Sequence, residues 1–139
     1  MSFADEVTEA AAAARPTKDV DVLVGGKLRT FRFTQLTGQE WGWLVAIHPM
    51  RLESPLDRQY GYNFHGVCQG AAKLNGVIVD GDSTEKVAPG TWDTLWPALS
   101  GHDYQVMGDA IWELNEWEPG QAVAKAKKAR TGESKAKRS

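Results

Sequence analysis

The chain has 139 residues, of which 42% are hydrophobic, 16 are Lys or Arg and 18 are Asp or Glu. This length and composition suit one soluble domain with a modest core, and no run of 18 apolar residues provides a membrane span. The net charge of −2 indicates neither a nucleic-acid nor a membrane partner, and the single cysteine, Cys68, excludes an intrachain disulfide.

The charge is distributed unevenly along the chain. Residues 1–124 carry 9 basic and 17 acidic residues, a net of −8, whereas residues 125–139 carry 7 basic residues and 1 acidic residue, a net of +6. The basic tail has no interleaved aromatic residues, so it fits a solubilising helix end better than a nucleic-acid-binding arm. The acidic N-terminus lacks the basic start and apolar segment of a signal peptide, which predicts a cytosolic protein.

The first third of the chain predicts an arm followed by a β-hairpin. Residues 1–17 form a flexible arm whose alanine run favours a helix that buries little surface, and Pro16 ends that helix. Residues 20–33 alternate in hydrophobicity on either side of Gly25-Gly26, which can supply the positive φ of a two-residue turn. We therefore expect a hairpin over 20–33.

Four helices are predicted after the hairpin, at about 37–48, 57–74, 91–117 and 121–130. Residues 18–130 then form one globular domain of α+β class, mainly α, and residues 131–139 form a disordered basic tail. The residues between the second and third helices, 75–90, read as a turn, a short extended run and a polar loop.

Several local signals set the predicted ends and packing of these helices. Thr37 and Glu40 have the spacing of a capping box, and Ser100 caps a new helix within the 91–117 segment. Pro119-Gly120 separates the last two helices. Gly66 and Gly70 share one helix face, where their small size lets another helix approach closely.

The sequence contains no motif that indicates an enzyme, a cofactor or a metal site. His65 and Cys68 lie one helical turn apart but have no further ligands nearby, so packing explains them better. Ser100, His102 and Asp103 are too close along a helix start for a catalytic triad, and capping accounts for two of them. Carboxylates are plentiful but scattered, which leaves paired-acid catalysis open without pointing to it.

Six tryptophans are present, at Trp41, Trp43, Trp92, Trp96, Trp112 and Trp117. A projection at 100° per residue places Trp117 on the apolar stripe of its helix. The same projection places Trp112 on the polar side beside Glu116, and Trp43 lies off the stripe of its own helix. Either another element of the chain covers Trp43 and Trp112, or these rings, with Glu116, bind an apolar helical partner.

Three segments and a short Ala/Lys helix carry a resemblance to a known family. The segments are RPTKDVDVLVGGKLRTFRFTQLTGQEW, YGYNFHGV and WDTLWPALSGHDYQVMGDAIWELNE. Their order and spacing, over roughly residues 16–130, resemble those of the tail assembly chaperones of long-tailed, non-contractile phages (siphoviruses) that infect actinobacteria. The family offers no residue-level binding motif that can be transferred to this chain.

The resemblance implies a non-enzymatic assembly function in the host cytoplasm. Such a chaperone binds the tape measure protein and keeps it soluble and extended while the tail tube polymerises, and it is absent from the mature virion. This chain resembles the shorter of two products, with Lys127-Lys128 as one place for a programmed frameshift. The longer product would engage the tail tube protein, and self-association along the client is compatible with this function.

Two other classes of protein remain as alternatives. One is a structural virion protein of the tail terminator or head–tail connector type, which would persist in purified particles. The other is a small nucleic-acid-binding protein that uses the basic tail, although the acidic body argues against it.

Overall fold

The computed structural model describes the backbone of residues 1–138 and the side chains of residues 1–132. In chain order the elements are α1 (Phe3–Ala12), β1 (Thr17–Val24), β2 (Lys27–Thr34), α2 (Gly38–Ile47), α3 (Pro55–Tyr60), α4 (Phe64–Asn75), β3 (Val77–Asp80), β4 (Ser83–Lys86), α5 (Pro89–Ala98), α6 (Gly101–Trp112) and α7 (Glu118–Arg138). A π-helical segment, Glu113–Trp117, joins α6 to α7 and is called the π turn below. The fold is mixed α and β with helices predominating, which agrees with the predicted class.

The predicted hairpin is present and forms half of a larger sheet. Strands β1 and β2 pair around Gly25 and Gly26, whose φ angles of 59° and 77° are those that glycine adopts most readily. The sheet is antiparallel with the order β1-β2-β3-β4, so the polar loop predicted within 75–90 is instead a second hairpin. Strand β4 was missed because all four of its residues are exposed and polar, which removes the alternation expected of a strand.

One face of the sheet packs on the helices and forms the core. Trp92 of α5 is fully buried there, with its ring centroid 5.2 Å from that of Phe31 and 5.9 Å from that of Phe33. Trp96 follows at 6.1 Å from Trp92, one helical turn further on. These two tryptophans therefore build core, as expected for a short chain that needs large side chains to bury enough surface.

The helix predicted over 57–74 is two helices, α3 and α4. Gly61 ends α3 in the left-handed conformation with φ of 87°, and Asn63 begins α4 by accepting a hydrogen bond from the Gly66 amide. Between them, Tyr62 forms an isolated bridge with Pro49. A glycine C-cap and, two residues later, an asparagine N-cap end one helix and begin the next. The apolar periodicity that predicted a single helix does not contain this information.

Two of the predicted helix starts, at Thr37 and at Ser100, agree with the structure. Thr37 and Glu40 form the expected capping box, with the Thr37 hydroxyl 3.1 Å from the Glu40 amide. Ser100 accepts a hydrogen bond of 3.1 Å from the Asp103 amide and so starts α6, which divides the predicted 91–117 segment.

Helices α2 and α4 approach closely where Gly66 and Gly70 face α2. A Cβ atom on Gly66 would lie 2.5 Å from His48 Cδ2, and one on Gly70 would lie 2.6 Å from Leu44 Cδ2. A Cβ at either position would have to displace one of these side chains, so the two glycines permit the observed packing. The close helix approach predicted from the sequence is confirmed, and the partner is a helix of the same chain.

Asp57 fixes the segment that connects α2 to α3. Its side chain is fully buried and accepts hydrogen bonds from the Arg51 guanidinium, at 2.8 Å, and from the Arg51 amide, at 3.0 Å. A longer bond of 3.4 Å comes from the amide of Phe64. The Arg51 guanidinium lowers the pKa of Asp57 to about 2, because these bonds favour the charged carboxylate.

The helical rod does not end at Pro119-Gly120, where a break was predicted. It continues through the π turn into α7, and the α7 backbone remains helical to Arg138. The predicted disordered tail over 131–139 is therefore wrong for residues 131–138, and Ser139 lies outside the described residues. Pro119 cannot donate a bond to the Asn115 carbonyl and would collide with it in an α-helix, and a wider π turn relieves that collision.

Replacing Gly61 with Ala tests the stop between α3 and α4. We expect Gly61→Ala to lower the free energy of unfolding by roughly 1–2 kcal/mol, because a Cβ strains the left-handed conformation. Gly120→Ala is the matched control, since Gly120 lies in helix α7 with open space around it, and there we expect a gain of up to about 1 kcal/mol. Urea unfolding measures both, and equal effects would contradict the assignment.

The Asp57 network makes stability depend on pH in a defined window. Because the folded pKa of about 2 lies below the unfolded value of 3.8, its contribution is present above about pH 4 and is lost as the pH falls through 2. We expect the difference in unfolding midpoint between wild type and Asp57→Asn to shrink between pH 4 and pH 2. A difference that stays constant over this range would contradict the assignment.

Candidate partner-binding site

A groove of about 320 Å³ lies between α2 and α4 and is called the α2–α4 groove below. Its lining consists of Trp43, Leu44, Ile47, His48, Gly66, Gln69, Gly70, Lys73 and Leu74. Three of these side chains are apolar and still exposed to solvent: Trp43 at 56%, Ile47 at 48% and Leu74 at 41%. Large apolar side chains grouped around one groove are typical of a partner-binding surface.

The sequence of α2 explains why this groove is apolar. Leu44 turns into the core, whereas Trp43 and Ile47, four residues apart, lie on one face beside it. The floor is firm because Leu44 and His48 fill the space over Gly66 and Gly70, and the His48 ring nitrogen Nδ1 lies 2.9 Å from the Leu44 carbonyl. Exposed apolar groups therefore stand on a closely packed base.

Trp43 was predicted to project from its helix, and the structure places it at the edge of this groove. Ile47 and Leu74 were not predicted as site residues. The spacing of Trp43 and Ile47 was the available signal. The contribution of Leu74 depends on how α2 crosses α4, which a one-dimensional pattern does not contain.

Trp112 is covered by its own chain. Its ring lies 5.3 Å from that of Tyr60 in an edge-to-face arrangement, and it is partly buried against the core. Tyr60 in turn stacks on Phe64 at 4.5 Å. Trp112 is not part of the α2–α4 groove lining, so Trp43 and Trp112 do not form one surface. Of the two interpretations of Trp112, coverage by another element is the one observed.

Glu116 also has an intramolecular partner. Its carboxylate accepts a hydrogen bond from the Tyr62 hydroxyl, which links the π turn to the segment before α4. Burial and this bond raise the pKa of Tyr62, so the hydroxyl stays protonated and continues to donate.

Trp117 was predicted to belong to the core stripe, and that prediction is wrong: the side chain is 50% exposed. In the π turn the Glu118 amide bonds to the Glu113 carbonyl, five residues back rather than four. One extra residue per turn rotates everything that follows by about 100° relative to a straight α-helix. The projection therefore held as far as Leu114, which is buried, and failed at Trp117.

Side chains satisfy the carbonyl groups at the π turn. The side-chain amide of Gln35 donates to the Leu114 carbonyl at 3.0 Å, and the side-chain amide of Asn115 donates to the Ile111 carbonyl at 2.8 Å. The Asn115 oxygen also accepts a 2.9 Å bond from the Leu36 amide. The connection between β2 and α2 is thereby tied to the π turn.

The groups considered for catalysis have structural roles in the described residues. The Ser100 hydroxyl caps α6, and the Asp103 carboxylate accepts a 3.1 Å bond from the Leu23 amide. Cys68 is buried with its thiol 3.4 Å from the Gly108 carbonyl, and burial raises its pKa. No group of three or more potential metal ligands occurs among the residues described.

Another cavity, of about 580 Å³, lies between the sheet and α5. Its lining contains apolar residues such as Phe31 and Leu95. It also contains the basic residues Arg29 and Lys86 and acidic residues such as Glu85. Neither sign of charge predominates in this lining. The cavity therefore indicates the chemistry of a ligand less clearly than the α2–α4 groove does, where exposed apolar side chains are grouped.

Comparisons with protein-family models, curated proteins and solved structures found no match to the chain. Within the described residues, none of the helices combines the length and apolar character needed to cross a membrane.

Two tryptophan variants test the arrangement around the π turn. We expect Trp112→Ala to lower the free energy of unfolding by about 2–4 kcal/mol, because it removes a ring packed against Tyr60 and the core. Trp117→Ala should cost less than about 1 kcal/mol, because that ring is exposed. Chemical denaturation measures both, and the reverse order would favour an uninterrupted α-helix.

Proposed function

We propose that this protein is a non-enzymatic tail assembly chaperone that binds the phage tape measure protein through the α2–α4 groove. The observation that carries the proposal is the group of exposed apolar side chains, Trp43, Ile47 and Leu74, around a firm groove. The resemblance described above supplies the class of partner, and the groove supplies a surface that such a partner can use.

The chemistry of the groove fits a helical, apolar client. One turn of an amphipathic helix presents a few apolar side chains, which matches three apolar residues on two adjacent helices. Lys73 at the groove end is already paired with Asp93, 2.5 Å away, so it adds little charge to the lining. The surrounding acidic body keeps the free protein soluble while the apolar group stays accessible.

A small groove supports weak contacts that are repeated along a long client. One contact of this size gives modest affinity, whereas several copies on one client hold it extended by avidity. Weak individual contacts also allow release as the tail tube polymerises, so that the chaperone remains in the host cytoplasm and is absent from the virion. In this proposal Trp43 contacts the client, while Trp112 and Glu116 stabilise the body behind it.

A frameshift at Lys127-Lys128 would fall within the exposed part of α7. A longer product that diverges there would keep every residue of the α2–α4 groove and carry its extra segment on a projecting helix. Such a product could hold the tape measure protein and engage the tail tube protein at the same time.

Co-expression with the tape measure protein of the same phage genome tests the proposal. We expect wild-type chain to increase the soluble fraction of that protein, and Trp43→Ala and Ile47→Asp each to lose most of the increase. Both variants should keep their free energy of unfolding within about 1 kcal/mol of wild type, because the side chains are exposed. Leu28→Ala, which removes an equally exposed apolar group on β2, is the control and should behave as wild type.

Two outcomes would contradict the proposal. If the wild-type chain leaves the tape measure protein insoluble, this is not its chaperone. If the chain is found in stoichiometric amounts in purified virions by mass spectrometry, the structural alternative of a tail terminator or head–tail connector takes its place.

A further inference from the structure

Helix α1 is unpartnered in the single chain. None of its ten residues is buried, and Ser2 and Asp5 form a complete capping box that starts the helix without help from the body. Phe3 and Val7, one turn apart, give it an exposed apolar face, and Phe3 is 78% exposed. The charged residues of α1 are all acidic: Asp5, Glu6 and Glu9.

Helix α7 is unpartnered as well, and its charge is opposite. Residues 120–132 are all exposed. An apolar stripe formed by Ala122, Val123, Ala126 and Ala129 runs along one side of the helix, opposite the exposed Trp117. The basic residues on this part of the helix are Lys125, Lys127, Lys128 and Arg130. At 100° per residue, Lys125 and Lys127 flank the stripe on its two sides.

Both helices leave the body at the same place. The Lys18 ammonium group lies 2.7 Å from the Glu113 carboxylate and 2.9 Å from that of Glu118, which joins the start of β1 to both ends of the π turn. Arg15, between α1 and β1, donates a 2.9 Å bond to the Leu36 carbonyl, and the Leu36 amide donates to Asn115 of the π turn. The roots of α1 and α7 are therefore fixed, while the helices beyond them present uncovered faces.

We propose that α1 of one copy of this chain packs on α7 of a second copy. The acidic charge of α1, with Glu6 at the border of its apolar face, is opposite to the basic charge of α7. The apolar face around Phe3 and Val7 covers the stripe around Val123. Charge complementarity favours this occupant, since a second α1 would repel α1 and a second α7 would repel α7.

A two-fold symmetric dimer makes this contact twice, because each copy offers one α1 and one α7. A ten-residue helix is about 15 Å long, so each contact is small and the dimer is expected to be weak and salt-sensitive. The α2–α4 groove is not part of the contact, so the dimer does not depend on the proposed function and leaves the groove open for a client.

Charge reversal tests the pairing by sedimentation equilibrium across a protein concentration series. We expect wild type to dimerise at low salt, and 0.5 M NaCl to weaken the dimer. Glu6→Lys/Glu9→Lys, and separately Lys125→Glu/Lys127→Glu, should each raise the dissociation constant by at least about tenfold, since like charges then face each other. Lys27→Glu/Lys86→Glu, on exposed strand residues, is the control for total charge and should leave it unchanged.

Mixing the two reversed variants gives the most specific readout. One then carries only basic flanks and the other only acidic flanks, so the mixture should form a heterodimer with both contacts restored, although neither variant dimerises alone. A chain that stays monomeric at every concentration would overturn the proposal, as would a dimer that ignores all reversals. A variant that carries all four substitutions tests the alternative that α1 packs on α7 of its own chain. If it stays monomeric and regains helix stability that each double variant lost, the contact lies within one chain and the dimer proposal is overturned.

Discussion

The hydrogen bonds at the π turn are the constraint on which most of the structure depends. A π turn leaves carbonyls without their usual α-helical donors, and such groups are costly unless they find partners. Here Gln35 and Asn115 supply donors to Leu114 and Ile111, and both side chains tie the turn to the connection between β2 and α2. The rotation of the helix, the exposure of Trp117 and the direction of α7 all follow from this turn.

The close approach of α2 to α4 is the second constraint, and it determines the candidate site. Because Gly66 and Gly70 lack side chains, Leu44 and His48 fit between the helices and complete a firm floor. Trp43 and Ile47 are then left beside that floor rather than within it. A larger residue at either glycine would displace Leu44 or His48 from this floor, so the shape of the groove depends on the two glycines.

What could be predicted from the sequence was local. The hairpin at Gly25-Gly26, the capping box at Thr37 and the N-cap at Ser100 depend on neighbours within a few residues, and the structure contains all three. The π turn depends on Gln35, which lies almost eighty residues away along the chain. No helical projection contains that bond, so the predicted orientation of Trp117 failed with it.

The candidate site was partly predictable for the same reason. Trp43 stood out because its own helix leaves it off the apolar stripe, which is a local property. Trp112 showed the same local signal, yet Tyr60 from α3, a distant part of the chain, covers it. An unpaired aromatic residue on a polar helix face is therefore only a candidate contact.

The distribution of charge connects the groove with the projecting helices. The net charge of −8 over residues 1–124 disfavours aggregation of the bodies of two copies, because like charges repel. Opposite charges on α1 and α7 instead direct attraction to the far ends of two helices. In the two proposals, association and client binding use different surfaces, so copies can be joined to one another while each groove remains free. For a long client, that separation allows several weak contacts to act together.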